Sequence, residues 1–195
     1  MKNFFNNIRS DRNKIPVWKF ILFCVVFLVL GAAVGAVSKI ADVYWEILSD
    51  VTSGICFWIF ICVVICAFSK NPFRAAAYVF LFCAAMVAVY YPTADIMRSM
   101  GIVSYAVRYG KSYVRDWSIV AAVSPICAFF TWYAFGKGAF SWMIRIGIIV
   151  VMAAGMFLLP GLMLFDVLFI LGTIIGYDHR DQEKRREKRQ CRLTV

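Results

Sequence analysis

Two blocks of almost uninterrupted apolar sequence, separated by one long polar connector, dictate how this chain can fold. Val17 to Val37 alone is a run of about 21 residues, long enough as a helix to cross a hydrocarbon core of about 30 Å. In lipid every backbone N–H and C=O must be bonded internally, so an apolar run of that length reads as a helix. Of the 195 residues, 63% are hydrophobic and the mean hydropathy is +0.77. A soluble domain is about 45–50% apolar and still needs a polar skin, so no water-soluble core could use this excess. The expected class is all-α, an integral membrane bundle.

Punctuation divides the bundle into six transmembrane helices, at about 17–37, 51–68, 73–91, 117–135, 139–159 and 160–177. A basic N-terminal segment, 1–16, precedes them and a charged tail, 178–195, follows. Ser69-Lys70-Asn71-Pro72 and Gly136-Lys137-Gly138 are tight basic turns, and Tyr90-Tyr91-Pro92 is an aromatic interface followed by a stop. From Ala139 to Tyr177 the chain is too long for one span, and Leu159-Pro160-Gly161 supplies a turn in its middle. Pro125 interrupts the fourth span. Ser38 to Asp50 reads as an interfacial helix anchored by Tyr44 and Trp45, with Asp42, Glu46 and Asp50 along one face. The remaining stretch, 92–116, is an outer connector.

The net charge of +10 is distributed by side. Six alternating spans put sixteen Lys and Arg with the termini and five on the opposite side. Basic residues stay with the cytoplasm, so both termini are expected there, in a multi-pass protein of a bacterial inner membrane with anionic lipids as counter-charge. No nucleic-acid recognition module accompanies the basic residues, which excludes that partner class. Six of the seven cysteines fall in apolar runs and form no C-x-x-C pair, and the single His179 lies in the tail. No metal site, cofactor or catalytic group is expected, and no H-E-x-x-H, G-x-S-x-G or P-loop occurs.

Ligand chemistry is expected on the outer side. Arg108, Lys111 and Arg115 recur at i, i+3, i+7, the cationic edge of an interfacial helix. With Arg98, Tyr90 and Tyr91 that edge could receive a small anionic molecule or a lipid headgroup; the alternative is plain anchoring of the helix at the interface. Asp166, shallow in the sixth span, would pair with a connector cation. Gly31/Gly35 and Ala32/Ala36 are overlapping small-xxx-small pairs that let a helix backbone approach closely, from the same chain or from a partner subunit.

Ser38-Lys39 with Asp42, Trp58, Ser69-Lys70 with Arg74-Ala75-Ala76, Phe80 to Met86 leading to Tyr90-Tyr91, Ser124-Pro125, and Trp132-Tyr133-Ala134 with Gly136-Lys137-Gly138 together give a pattern. Over residues 20–140 it resembles a group of small uncharacterised polytopic bacterial membrane proteins, which implies an independent six-helix unit and no catalytic residues. A second resemblance is to the S-components of energy-coupling-factor vitamin transporters. They too have six helices, cytoplasmic termini and a small-xxx-small motif in the first helix that meets the coupling subunit. Ala32 and Ala36 are the matching positions, and the resemblance implies an ATPase partner. The expected function is non-enzymatic: a solute-uptake or substrate-binding membrane component. The alternatives are an accessory protein acting through helix contacts with a membrane partner, and a lipid-modifying enzyme.

Overall fold

In the computed structural model, the residues described are 9, 16–102, 111–158 and 163–193. Seven helices account for nearly all of them: α1 (Val17–Tyr44), α2 (Glu46–Ser53), α3 (Ile55–Phe68), α4 (Pro72–Ser99), α5 (Lys111–Ala134), α6 (Ala139–Leu158) and α7 (Met163–Leu193). No strand occurs among them. Four segments are long and apolar enough to cross a membrane, namely Val17–Tyr44, Pro72–Ser99, Val114–Ala134 and Ala139–Met156. The most apolar window of α1 has a mean hydropathy of 2.9 and only 11% of it is buried. Its outer face of Ile21, Leu22, Val25, Val26 and Val29 is exposed, the surface of a helix whose solvent is lipid.

Helices α1 and α4 run parallel. Tyr78 stacks on Phe27 at 5.0 Å, Gly31 meets the Phe82 backbone, Gly35 meets Met86, and Lys39 lies over the Tyr90 ring at 5.2 Å. Each pair is 51 residues apart, so the two helices keep register from Phe27 to Lys39, about three turns. A Cβ on Gly31 would fall on the Phe82 carbonyl, and one on Gly35 would come within 2.6 Å of the Met86 carbonyl. Gly31 and Gly35 thus serve the chain's own α4, the first of the two alternatives the small pair offered: the approach needs both backbones bare, and α4 already occupies it. Ala32 and Ala36 are half-buried beside this seam.

Parallel register forces a return path. Between Tyr44 and Pro72 the chain must come back along roughly 35 Å of helix, and α2 with α3 supplies about 33 Å at 1.5 Å per residue. The 14-residue α3 makes that crossing although it is too short to rank with the four long segments. Trp58 meets Trp117 and the Cys66 thiol donates to the Ala128 carbonyl, so α5 runs parallel to α3. Phe57 meets Phe169 and Arg180 donates to the Ala67 carbonyl, so α7 does too. Met152 meets both Cys56 and Thr173, while Arg145 lies over Tyr177, which makes α6 antiparallel to α3 and α7. Helices α1, α4 and α6 run one way; α3, α5 and α7 run the other.

Several boundaries differ from the sequence reading. Helix α1 continues to Tyr44 and breaks at Trp45, which puts Asp42 on a different helix from Glu46 and Asp50 and dissolves the single acidic face. Helix α4 continues through Pro92 to Ser99, and α5 begins at Lys111, so the connector is shorter than 92–116. Proline lacks the N–H for its own turn, and in α5 a neighbouring hydroxyl supplies the missing donor. Ser124 donates to Ala121 O at 2.8 Å, the carbonyl that Pro125 cannot reach. Asn71 caps α4 by accepting from the Phe73 N–H at 2.8 Å, and Gly101, at φ +70°, ends it. The turn at Leu159-Pro160-Gly161 lies outside the described residues.

Candidate functional site

The connector cations do not gather into a site among the described residues. Arg98 pairs with Asp95 and Arg115 with Asp116, each at 3.1 Å and largely exposed. Arg108 and the Lys111 side chain lie outside the described residues. Tyr90 turns inward: its hydroxyl donates to Asp42 Oδ2 at 2.5 Å, and its ring meets Tyr91 edge-on at 5.3 Å. Asp42 also accepts from Lys39 Nζ at 3.0 Å and from the Ser49 hydroxyl. This cluster ties α1, α2 and α4 together where the glycine seam ends, and Lys39, only 7% exposed, is its buried cation. The acceptor capacity of one carboxylate is used to hold three elements.

Asp166 is expected to pair with a connector cation, and of those cations the Arg108 and Lys111 side chains lie outside the described residues. Asp166 is buried in the first turn of α7, where the positive end of the helix dipole favours a carboxylate. Its neighbours are the break at Gly54 and the Cys56 thiol, which donates to the Met152 carbonyl at 3.3 Å. Among the described residues no Lys or Arg pairs with it. Asp166 Oδ1 lies 3.6 Å from where a Cβ on Gly54 would stand, at the junction of α2 and α3.

The opposite end of the bundle, where the 69–71 and 136–138 turns lie, is held by arginines. Arg9 donates to Trp132 O at 2.6 Å, to Ser69 O at 3.0 Å and to Ala67 O at 3.4 Å, with its guanidinium 3.9 Å above the Trp132 ring. The Trp132 indole N–H donates to the same Ser69 carbonyl at 2.9 Å. Arg145 donates to Ala134 O at 2.6 Å and lies over Tyr177; Arg180 donates to Ala67 O. These acceptors are the last carbonyls of α3 and α5, the negative ends of two helix dipoles with no intrahelical donor left. Trp132, Tyr133, Phe135 and Tyr177 are buried around them. No local pattern in the sequence announces these caps, because the guanidinium groups of Arg9 and Arg180 reach carbonyls more than fifty residues away.

Beside this plug, a groove of about 520 Å³ runs between α3 and α7. Phe60, Val63, Val64 and Ala67 form one wall, with Phe68 and Phe135 at its end; Gly172, Thr173, Ile175 and Gly176 form the other, and His179 and Arg180 stand at the mouth. Gly172, Gly176 and Arg180 follow one another at i, i+4, i+8, a stripe of α7 that goes from bare backbone to charge. Nothing lies within 4 Å of a Cβ built on Gly176, so the hollow there is real space. None of Tyr90, Tyr91, Arg98, Arg115 or Asp166 lines it. Its combination of apolar walls and a few polar groups at one end is that of a small-ligand site.

No protein-family model matches the chain, and no curated protein or solved structure does.

Proposed function

We propose that this chain is a non-enzymatic, six-traverse protein of a bacterial cytoplasmic membrane, with both termini cytoplasmic, that binds a small anionic ligand as the substrate-binding component of solute uptake. What supports the binding role is the groove between α3 and α7, an apolar slot with a cation at its mouth. The alternating helix directions support six traverses, since a parallel α1 and α4 need a full return through α3. The ligand site moves from the outer connector to the groove, because the described connector cations are paired locally and Tyr90 is engaged by Asp42. The accessory reading loses its main contact, as Gly31 and Gly35 are occupied by α4. A coupling ATPase or membrane subunit remains the partner that uptake requires.

Reporter fusions test the topology. Alkaline phosphatase fused after Val195 should be inactive and a fluorescent protein there should fluoresce, whereas phosphatase fused after Ser99 should be active. Activity after Val195 would reverse the assignment. Mass spectrometry of protein purified from native membranes tests the binding role: a co-purifying anion that Gly176→Leu abolishes is the expected result, and binding indifferent to that substitution removes the groove from the function.

A further inference from the structure

The groove is open at its side. Phe68 on one wall is 78% exposed and Ile175 on the other is 66% exposed, so its long opening faces the medium that the apolar surfaces of α1 and α6 also face. An occupant can therefore enter sideways from the bilayer. Its walls are aliphatic and aromatic over the whole length, with Thr173 the sole hydroxyl among the lining residues, and that hydroxyl already donates to Phe169 O at 2.9 Å. The polar part of a ligand would lose its hydration along these walls without replacement, so it belongs at the mouth and only an apolar part lies in the slot.

The mouth has the opposite character. Arg180 is half-buried, uses one guanidinium nitrogen on Ala67 O, and has no carboxylate partner among the described residues. A guanidinium carries five N–H donors in a fork that fits phosphate oxygens, so most of its capacity is uncommitted. Arg9 already supplies donors to the Ala67 and Ser69 carbonyls, which leaves Arg180 redundant as a helix cap. Basic pockets between membrane helices on the cytoplasmic side are where anionic headgroups bind.

Apolar length open to the bilayer, closed by an arginine that no described carboxylate compensates, has one chemical complement. Resting on the proposed binding role of this groove, we infer that its occupant is an anionic phospholipid, with one acyl chain passing over Gly176 and the headgroup phosphate on Arg180. The Phe60 ring packs against Gly172, while Gly176 opens the slot, since a side chain there would meet nothing within 4 Å. The arginine selects for charge.

The experiment uses the full chain reconstituted in nanodiscs of phosphatidylcholine with or without phosphatidylglycerol, released into the gas phase for native mass spectrometry. The expected result is one phosphatidylglycerol retained per protein in preference to phosphatidylcholine. Arg180→Gln should lower that retention about tenfold, the effect of removing one charge-assisted hydrogen bond. Gly176→Leu should abolish retention, while its circular dichroism and monodispersity match the parent protein. If Gly176→Leu does not fold, Gly176→Ala, which only narrows the slot, must still weaken retention. Equal retention of both lipids, or retention unaffected by these variants, overturns the inference. A parallel titration with inorganic phosphate in zwitterionic micelles separates the two levels of the argument. Phosphate binding that depends on Arg180, without lipid retention, overturns the lipid assignment and preserves the groove as an anion site; dependence on neither variant with either probe overturns both.

Discussion

Lys39 and Asp42 illustrate how much a single side chain does here. Both sit one turn beyond the small residues of α1, and the ammonium is buried against Tyr90 while the carboxylate accepts from three elements. Removing the carboxylate would take an ion-pair partner at 3.0 Å from a buried ammonium, and breaking such pairs costs about 3–5 kcal/mol. Since the Asp42 side chain is 18% exposed, the lower end applies. Asp42→Asn should therefore destabilise the protein by about 3 kcal/mol in thermal unfolding in detergent. Adding Lys39→Met should restore most of that loss. An unchanged melting temperature in the single variant would show that the cluster holds nothing. The pattern Ser38-Lys39 with Asp42 is visible in the chain, but the direction in which Lys39 points follows from α4 lying parallel at an offset of 51 residues.

At the scale of elements, the two helices that carry internal prolines are the informative ones. A proline after an aromatic pair reads as a stop, and one inside an apolar run reads as an interruption, yet α4 and α5 pass through both. In water a broken turn is solvated, which makes a stop cheap; in lipid the freed carbonyl must find a donor within the protein, and in α5 the Ser124 hydroxyl is nearest. Ser124→Ala should cost about 1 kcal/mol by leaving the Ala121 carbonyl without that donor. Pro125→Ala in the same chain should cancel the cost, because the new N–H bonds Ala121 directly. Additive effects in that double-mutant cycle would refute the compensation.

Over the whole molecule, the two ends are closed by different chemistry. A carboxylate takes donors from α1, α2 and α4 at one end; at the other, guanidinium groups donate to the last carbonyls of α3 and α5. Arg9 brings the N-terminal segment into this closure, stacked on Trp132 and bonded to two helix ends at once. Lysine carries the same charge but not the planar fork, so Arg9→Lys should lose about 2 kcal/mol of stability rather than behave conservatively. If charge alone mattered, the melting temperature of Arg9→Lys would equal that of the parent. The groove lies beside this rigid end, with Ala67 and Phe135 shared between plug and wall.

The class of the protein and the approximate position of each apolar helix follow from the sequence by itself, because apolar length and punctuation are local properties that lipid enforces directly. The small pair at Gly31 and Gly35 is equally plain as a place for close approach. Which helix fills that approach, and hence that it is not free for a partner, depends on a contact between positions 51 residues apart, and only the packed bundle decides it. The same holds for the site. Arg98 and Arg115 draw attention by their spacing, and local carboxylates pair with them. Arg180 is one of seven Lys and Arg in a charged tail until α7 packs against α3 and puts it at the mouth of a slot. Charge along a chain is legible from its residues; a cavity is the space left between helices, and it has no existence until they meet.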